Sequence, residues 1–493
     1  MSYKVHPSEV TLEMGDPQQQ NGTIHLALYP SAHGLGHFMR IVHLAQLLHK
    51  AGGKRQLQYR LFIRANIDES VRESLKTGWK DFDTVTFSNY KIPIQPSIIQ
   101  TNPYTLSAAQ TWDSVRKFDA TAALEQEKRF VRENGIHVII SDCPSIPCTL
   151  TVPSILVTNF TFDSILEGLA ASERSSGLGL KDTSAAEDKG LKGSEKEDIR
   201  TFIRAMTDQY QNADTLIRLP GPIPMPYKGR TVDVPVHFRH ANASKVETLT
   251  SLRIPELLKP GRKILLHCFG GQPQSDTFSR IPQLPSLWTG LSQTIHAPPY
   301  FYKIANDAHI PDLIAASDVV LGKLGWGMCS EVIGNGYKPF IYVPRPAFIE
   351  EKGLIEWMEE DHRRLVRMEA STFEAMEWQD AILQADALAG TQEQDSESLV
   401  DEAELCQLCE PNGLSTKPPP QSWLLNLNLR LAPRAILLTV RSTQLQRYIA
   451  ESITRLPANL SAANQVGCAQ FLVQSDGGPE VVRKQKRALG WIH

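Results

Sequence analysis

One short stretch, residues 29–38 with the sequence YPSAHGLGHF, constrains the fold of this chain more than any other. An apolar run at 24–29 precedes it and predicts a buried strand, and apolar residues at helical spacing over 41–48 follow it. Gly34 and Gly36 allow a tight turn and the close approach of a ligand to the backbone. The stretch therefore predicts a strand-to-helix turn at the carboxyl edge of a parallel sheet.

His37 falls where this helix is predicted to begin. At such a position free N–H groups and the positive end of the helix dipole favour anions. The turn is not a dinucleotide fingerprint, because the third glycine of G-x-G-x-x-G is missing. A plainer interpretation stays open, in which His33 and His37 are surface residues of an ordinary strand-to-helix turn.

The same plan recurs along the first half of the chain. Further strands are predicted at 57–63, 84–90, 137–142, 154–159 and 215–219, and a long charged helix at 112–133. Strands that alternate with helices predict a parallel, doubly wound sheet, which binds ligands at the carboxyl ends of its strands. His33, His37, Asp142 and Asn159 all fall at such ends.

The second half repeats the order of strand, glycine-rich turn and helix. Its strands are predicted at 263–269, 319–321 and 339–343. The first of them ends in Gly270-Gly271-Gln272, and the second runs into a glycine-rich turn at 322–327. Residues 274–300 lack the apolar strand that this plan requires. The sequence therefore predicts that the second sheet has lost an inner strand, or that the sequence is faulty there.

Composition divides the chain into segments. They are a disordered tail at 1–22, a first domain at 23–235 with a mobile surface insertion at 171–197, a second domain at 236–388, and an extension at 389–493 whose first part, 389–422, is expected to be poorly ordered. The proline-rich segment 220–226 can form neither a helix nor an inner strand. The hinge between the domains is therefore predicted within 219–262.

Overall composition excludes several classes of protein. The formal net charge of −3 gives no support for binding to nucleic acids or anionic membranes. Seven cysteines without framework spacing indicate reduced thiols. The polar N-terminus is not a signal peptide, and no apolar run approaches the roughly 18 residues that a transmembrane helix needs. The sequence therefore predicts a cytoplasmic protein.

Several separate stretches resemble one family. They are residues 33–37, 139–142, 157–163, 217–221, 269–273 and 311–331, of which the last is the most specific. Together they resemble the glycosyltransferase-like N-terminal region of plant-type L-arabinokinases and its stand-alone relatives, over roughly residues 23–385. That region is similar to the GT-B enzymes, which include UDP-glycosyltransferases and glycogen phosphorylase. The resemblance implies two Rossmann-like domains that face a cleft.

The resemblance also implies roles for residues of the first domain. His37 resembles the general base that many inverting GT-B enzymes place at the start of their first helix, and Asp142 resembles the carboxylate that orients it. The implied acceptor side consists of His33, Gly34, Gly36 and Asn159. An alternative stays open, in which Asp142 only caps the next helix and His37 only begins one.

The donor is implied to bind the second domain. The implied donor-binding residues are Gly271, Gln272, Lys323, Gly325, Gly327, Ser330 and Glu331. Backbone N–H groups of the turn would hold the diphosphate without a metal ion, and Glu331 would hold the ribose. Plainer alternatives stay open. Glu331 is then a dipole-stabilising residue, Lys323 is solvated, Gly271 and Gln272 form a bare turn, and Trp326 either stacks on a base or fills the core.

The sequence thus predicts a GT-B glycosyltransferase of the inverting, metal-independent type. It predicts a UDP-linked sugar as donor, an acceptor that the sequence does not specify, and no cofactor. His37 and Asp142 are predicted to form an acid–base pair at the cleft. Two alternatives stay open: a non-catalytic sugar-nucleotide-binding protein, and an L-arabinokinase-like protein without the kinase domain, whose phosphate-loop motif is not found after residue 385.

Overall fold

The computed structural model describes residues 23–32, 35–55, 58–67, 69–78, 82–102, 104–175, 193–270, 281–305, 308–345, 348–361 and 364–390. His33, Gly34, Gly271 and Gln272 lie outside these residues, and so do the predicted tail at 1–22 and the chain beyond residue 390. What the sequence predicts for them stays a prediction.

Strands of the described residues form two large parallel sheets and one hairpin. In chain order the strands are β1 (Thr23–Tyr29), β2 (Gln58–Arg64), β3 (Val85–Ser88), β4 (Gln100–Asn102), β5 (Thr105–Leu106), β6 (Val138–Ser141), β7 (Ser154–Thr158), β8 (Thr215–Arg218), β9 (Arg230–Asp233), β10 (Lys263–Cys268), β11 (Trp288–Ser292), β12 (Phe301–Lys303), β13 (Val319–Gly322), β14 (Phe340–Tyr342) and β15 (Leu365–Arg367).

Helices separate most of these strands. They are α1 (Leu35–Arg55), α2 (Glu69–Gly78), α3 (Ala108–Lys117), α4 (Ala120–Glu133), α5 (Phe162–Ser175), α6 (Gly193–Tyr210), α7 (Lys245–Ser251), α8 (Ile310–Ala316), α9 (Trp326–Gly334), α10 (Glu350–Asp361), α11 (Ala370–Glu374) and α12 (Gln379–Gly390). Among the described residues, no helix combines the length and the apolar character that crossing a membrane requires.

The first sheet contains seven parallel strands in the order β3-β2-β1-β6-β7-β8-β9. Strands β6 and β7 are buried along their whole length, which explains their nearly continuous apolar sequences. The strand order reverses between β1 and β6, where Tyr29 pairs with Ser141 at the carboxyl ends. Open α/β sheets bind ligands outside such a reversal, so the loops after β1 and β6 form the favoured site.

The second sheet contains six parallel strands in the order β12-β11-β10-β13-β14-β15. Its order reverses between β10 and β13, where Cys268 pairs with Gly322. The two sheets therefore share one topology, and each has a ligand-binding edge after its central pair of strands. The predicted doubly wound α/β class is confirmed.

The predicted loss of an inner strand at 274–300 is wrong. Strand β11 lies between β10 and β12 and is buried along its whole length. Gly290 is required there, because a Cβ at this position would overlap the ring of Phe301. The strand escapes the apolar pattern because it is short and includes Thr289, Gly290 and Ser292. Ser292 is tolerated in the core because its hydroxyl bonds His267 Nδ1 at 2.9 Å and accepts two backbone N–H bonds.

The predicted single helix at 112–133 is also wrong, because two helices occupy this region. Phe118 has extended backbone angles and ends α3. The carboxylate of Asp119 then accepts a hydrogen bond from the backbone N–H of Ala122 at 2.9 Å and caps α4. An aspartate N-cap competes with helix continuation, since its side chain satisfies a backbone donor that the previous turn would otherwise bind. The predicted helix end at Asn134 and Gly135 is observed, with Gly135 at a φ of +56°.

The edges of the predicted surface insertion at 171–197 are helical. Helix α5 continues to Ser175 and α6 begins at Gly193, whereas residues 176–192 lie outside the described residues. The segment 220–226 has neither helix nor strand, as its prolines require. Along the chain, β9 is the last strand of the first sheet and β10 is the first strand of the second. The boundary between 235 and 236 stays a prediction.

The hairpin of β4 and β5 connects the first sheet's half of the chain with the second. Tyr104, between its two strands, donates a hydrogen bond to Oε1 of Glu374 at 2.6 Å. The Tyr104 ring meets the ring of Phe373 edge-on, with centroids 5.8 Å apart. Both partners belong to α11, which follows β15 of the second sheet. The two halves are therefore in contact at this hairpin.

Candidate functional site

The starts of α1 and α9 face each other. Helix α1 follows β1, and α9 follows β13, so each begins at the ligand-binding edge of its sheet. A Cβ built on Gly327 would lie 3.9 Å from the Cα of Gly36. The positive ends of two helix dipoles therefore converge, an arrangement that favours a bound anion.

His37 and Asp142 are in contact at the edge of the first sheet. Nδ1 of His37 lies 3.1 Å from Oδ2 and 3.2 Å from Oδ1 of Asp142. Asp142 is completely buried, whereas the side chain of His37 is 14% exposed. The ring of Phe160 meets the imidazole edge-on at 5.4 Å. The structure thus brings together the two residues that the sequence predicts as an acid–base pair, and their catalytic role stays a prediction.

Arg40 is a site residue that the sequence reasoning missed. Its Nε donates to Oδ2 of Asp142 at 3.0 Å, and its Nη2 donates to Oδ1. Burial alone would raise the pKa of Asp142, but the charge of Arg40 and the hydrogen bonds from His37 and Arg40 outweigh burial and hold that pKa below its usual value. Arg40 lies three residues after His37, so helical spacing places both side chains on one face of α1. That spacing is the signal that could have identified it.

The proton on the His37 ring can be assigned from its neighbours. Nδ1 faces two carboxylate oxygens of Asp142 and also lies 3.0 Å from Nη2 of Arg40. An ionised carboxylate only accepts hydrogen bonds, so a bare Nδ1 would oppose its lone pairs to those of two oxygens. A proton on Nδ1 is donated to the carboxylate instead, and Nη2 of Arg40, which itself donates to Oδ1 of Asp142, does not need Nδ1 as an acceptor. We therefore assign N–H to Nδ1, which leaves Nε2 as the basic nitrogen of the neutral ring.

Asn159 extends this cluster toward the second half of the chain. Its Oδ1 accepts a hydrogen bond from Nη1 of Arg40 at 3.2 Å, and its Nδ2 donates to Oε1 of Glu350 at 3.0 Å. Glu350 is the first residue of α10, the helix that follows β14 of the second sheet. Oε2 of Glu350 lies 3.9 Å from Nη2 of Arg345, which donates to the backbone carbonyl of Leu324. The predicted acceptor side is therefore connected to the predicted donor turn through Glu350 and Arg345.

Lys323 lies at the carboxyl end of β13, within the predicted donor turn. Burial lowers its pKa to about 7, and the neighbouring charge of Arg345 acts in the same direction. Gly325 is the N-cap of α9, and a Cβ on it would meet no described atom within 4 Å. Gly325 and Gly327 thus leave the first N–H groups of α9 sterically accessible. Lys323 lies beside them, and its pKa of about 7 means that its charge changes near neutral pH.

Ser330 and Glu331 already have partners within the chain. The hydroxyl of Ser330 donates to the carbonyl of Gly327 at 2.9 Å. Oε1 of Glu331 accepts a hydrogen bond from Nε of Arg239 at 2.6 Å. Arg239 comes from the segment that joins the two sheets, and the sequence reasoning missed it. Both residues of α9 are buried, so the structure assigns them packing contacts, and their donor-binding roles stay predictions.

Trp326 packs between the two halves. It is 5% exposed, and its Nε1 donates to the carbonyl of Pro220 at 3.0 Å. The guanidinium of Arg40 lies over its ring, 4.8 Å from the centroid. Of the two interpretations that the sequence left open, filling the core describes Trp326.

Among the described residues, no group of three or more histidine, cysteine, aspartate or glutamate side chains is arranged to hold a metal ion.

Two buried histidines, His43 of α1 and His237 of the joining segment, stack with ring centroids 6.0 Å apart. Neither ring nitrogen of His237 has a hydrogen-bond partner among the described residues. Burial, with the nearby charge of Arg239, lowers the pKa of His43 to about 4. Burial and the neighbouring His43 lower the pKa of His237 well below its usual value. The fold therefore requires both rings to be neutral.

We expect this pair to make the free energy of unfolding fall as the pH drops from about 6.5 toward 4. The unfolded chain binds protons on His43 and His237 near pH 6.5, whereas the folded chain does not, so acid favours unfolding. Each histidine should contribute a slope of up to about 1.4 kcal/mol per pH unit. Urea titrations at successive pH values measure it. His237→Gln should reduce the slope relative to the unchanged protein, and an unchanged slope in this variant would contradict the assignment.

The architecture defines the class of the fold, GT-B, in which two Rossmann-like units face each other. CalG4, described as the calicheamicin glycosyltransferase, aligns with a TM-score of 0.51 and 12% identity, over 89% of this chain and all of CalG4. A UDP-glucosyltransferase from Polygonum tinctorium aligns with a TM-score of 0.44 and 12% identity, over 91% of this chain and 98% of that enzyme. At such low identities the alignment with CalG4 supports the fold alone.

In sequence, the chain is similar to L-arabinokinase of Arabidopsis thaliana. The two are 28% identical over 348 residues, which cover 68% of this chain and 29% of the kinase. This similarity confirms the resemblance that the motifs predicted. The chain thus spans less than a third of the length of that relative. No family model matches the chain.

Proposed function

We propose that this protein is a glycosyltransferase that uses a UDP-linked sugar as donor. One observation carries the proposal: the His37–Asp142 pair follows the central strands of the first sheet, and the start of α9, beside Lys323, approaches the same region from the second. Transfer of a sugar from a nucleotide requires a base for the acceptor and an anion-binding group for the leaving diphosphate. The fold of CalG4 and the sequence similarity to L-arabinokinase support this assignment.

His37 acts as the general base in the proposed reaction. An acceptor hydroxyl oxygen bonds to the anomeric carbon while the bond from that carbon to the diphosphate oxygen breaks. The hydroxyl proton moves to Nε2 of His37, and the electron pair of the broken bond leaves with the diphosphate. A single displacement inverts the configuration at the anomeric carbon. Asp142 holds the Nδ1 proton and stabilises the imidazolium that forms.

The donor site supplies positive charge without a metal ion in this proposal. The first N–H groups of α9 and the ammonium of Lys323 stabilise the departing diphosphate. The carboxylate of Glu331 would bind the ribose through the oxygen that does not pair with Arg239. Gly36 and Asn159 would border the acceptor, together with His33 and Gly34. Gly271 and Gln272 complete the proposed donor side.

A non-catalytic sugar-nucleotide-binding protein is the alternative to an enzyme. Loss of the inner strand predicted at 274–300 would favour this alternative. Strand β11 removes that argument, because the second sheet is continuous from β12 to β15. The enzyme is therefore the better-supported proposal. Binding of a nucleotide sugar without any turnover would favour the alternative.

UDP-glucose binding at different pH values tests the proposed donor site. Its diphosphate is a diester and does not titrate near neutral pH. Since the pKa of Lys323 is about 7 in the free protein, the bound anion should favour the charged lysine and raise that pKa. The affinity should be full below pH 7 and then fall by up to about tenfold per pH unit above it. Isothermal titration calorimetry between pH 6 and 9 measures this.

Two variants of Lys323 complete the test. Lys323→Arg keeps its charge over the whole range and should bind UDP-glucose with little dependence on pH. Lys323→Met should bind weakly at every pH. Absence of UDP-glucose and UDP binding at all pH values would contradict the proposed function. Tight binding without pH dependence in the unchanged protein would remove only Lys323 from the site.

A further inference from the structure

A continuous chain of polar contacts crosses from the first half to the second. It begins at His37 and Asp142, passes through Arg40 to Asn159, and crosses to Glu350 at 3.0 Å. From Glu350 it continues to Arg345, which bonds the carbonyl of Leu324 in the turn before α9. This series of contacts therefore begins at the proposed base and ends at the proposed donor turn.

The crossing point has one workable orientation. Oδ1 of Asn159 faces an N–H of Arg40, and its Nδ2 faces a carboxylate oxygen of Glu350. With the amide turned over, two donors would meet at Arg40 and two acceptors at Glu350. The flanking charges thus fix the amide. Asparagine is suited to this position because it accepts from one half of the chain and donates to the other.

Burial makes the crossing point sensitive to the separation of the halves. Asn159 is completely buried, and Glu350 is 4% exposed. Moving the halves apart would leave an amide of the first sheet and a carboxylate of the second without each other. The same movement would release the amide of Asn159, which accepts from Arg40, and Arg40 holds the carboxylate that orients His37.

We propose that Asn159 and Glu350 are positioning residues whose contact transmits closure of the two halves to His37. The contact exists when the halves are together, and it then orders Arg40 and Asp142 around the imidazole. Arg345 connects the arrangement to the turn at 323–327, because its guanidinium forms an ion pair with Glu350 at 3.9 Å, donates to Glu351 at 3.2 Å and donates to the carbonyl of Leu324. This inference rests on the proposed function in assigning the turn to a donor diphosphate. The effect of the contact on the imidazole of His37 does not depend on that assignment.

A reciprocal exchange tests the contact. Asn159→Asp keeps the shape and the bond to Arg40 but sets a carboxylate against Glu350 across the two halves. Adding Glu350→Gln in the same chain supplies an amide that donates to the new carboxylate, and the pair recovers its original net charge. Histidine side-chain ¹⁵N spectra of the full chain report the tautomer and environment of His37, which a His37→Gln variant identifies.

The expected result is a displaced His37 signal in Asn159→Asp and recovery of the original signal in the double variant. Saturating UDP should also move the His37 signal in the unchanged protein and in the double variant, with that response lost in Asn159→Asp. A purely structural role would alter stability without restoring the imidazole signal in the double variant. Thermal unfolding of each variant identifies any that fail to fold.

Failure of the inference and failure of the proposed function give different outcomes. If UDP binds but the His37 signal is the same in all variants, the contact does not position the imidazole and the inference is overturned. If UDP binds to none of them but the His37 signal still follows the exchange, the positioning role stands and the donor assignment is lost. A signal that fails to return in a folded double variant also contradicts the inference.

Discussion

Arg40→Met should lower the free energy of unfolding by about 3–5 kcal/mol. Asp142 is completely buried, and Arg40 gives it two hydrogen bonds and a full positive charge. Methionine keeps the apolar stem of the side chain but leaves the carboxylate beside His37 without the guanidinium. An unpaired buried charge is costly because it has lost its hydration and gained nothing equivalent. Urea unfolding at pH 7.5, followed by circular dichroism, measures the loss.

An exposed ion pair provides the matched control. Nε of Arg218 lies 2.5 Å from Oδ1 of Asp233, and the two side chains are 41% and 68% exposed. Arg218→Met should therefore cost about 0–1 kcal/mol. Combining Arg40→Met with Asp142→Leu should recover part of the loss, because both buried charges are then removed. Equal costs for Arg40→Met and Arg218→Met would contradict the view that Asp142 depends on Arg40.

His37→Ala should slow the chemical step of the proposed reaction by roughly 10²–10⁴-fold. Without the imidazole, the acceptor hydroxyl must lose its proton to water, while the donor site on the second half is unchanged. The affinity for UDP should therefore remain close to that of the unchanged protein. Single-turnover release of UDP from UDP-glucose, with water and a panel of hydroxyl compounds as acceptors, measures the rate.

Asp142→Asn and His49→Ala complete the comparison. Asp142→Asn removes the charge that stabilises the imidazolium, so its rate should fall in the same direction as that of His37→Ala. His49→Ala removes a histidine from the same helix and should leave the rate unchanged. An unchanged rate in His37→Ala, with UDP binding intact, would remove His37 as the base and give the non-catalytic alternative precedence.

Local patterns were sufficient to predict the strand-to-helix turns and the residues at their ends. Apolar runs predicted β1, β6 and β7 closely, because strands covered on both faces leave a nearly continuous apolar signal. The same logic placed His37 and Asp142 at one sheet edge. The exceptions are informative: β11 was missed because buried polar residues interrupted its apolar run, and the capping bond of Asp119 divided a helix that periodicity had joined.

Contacts between distant residues were beyond the reach of such patterns. Arg40 bonds a carboxylate 102 positions away, Arg239 bonds Glu331 from 92 positions away, and Asn159 meets Glu350 across 191 positions. Each of these side chains is ordinary in its local sequence. Periodicity reports which face of an element is buried, but it contains no information about which charged group lies opposite that face.

By itself, the sequence determined the α/β class and the two sets of strands with glycine-rich turns. It also determined that His37, Asp142 and Lys323 lie beyond the carboxyl ends of strands. These follow from interactions over a few residues, in which apolar spacing and glycine conformations dominate. Only the tertiary structure decided that Arg40 joins His37 to Asn159, that Glu331 pairs with Arg239, and that Trp326 fills the space between the halves. The physical reason is that buried polar groups must find partners wherever packing brings complementary ones, and packing is a property of the whole chain.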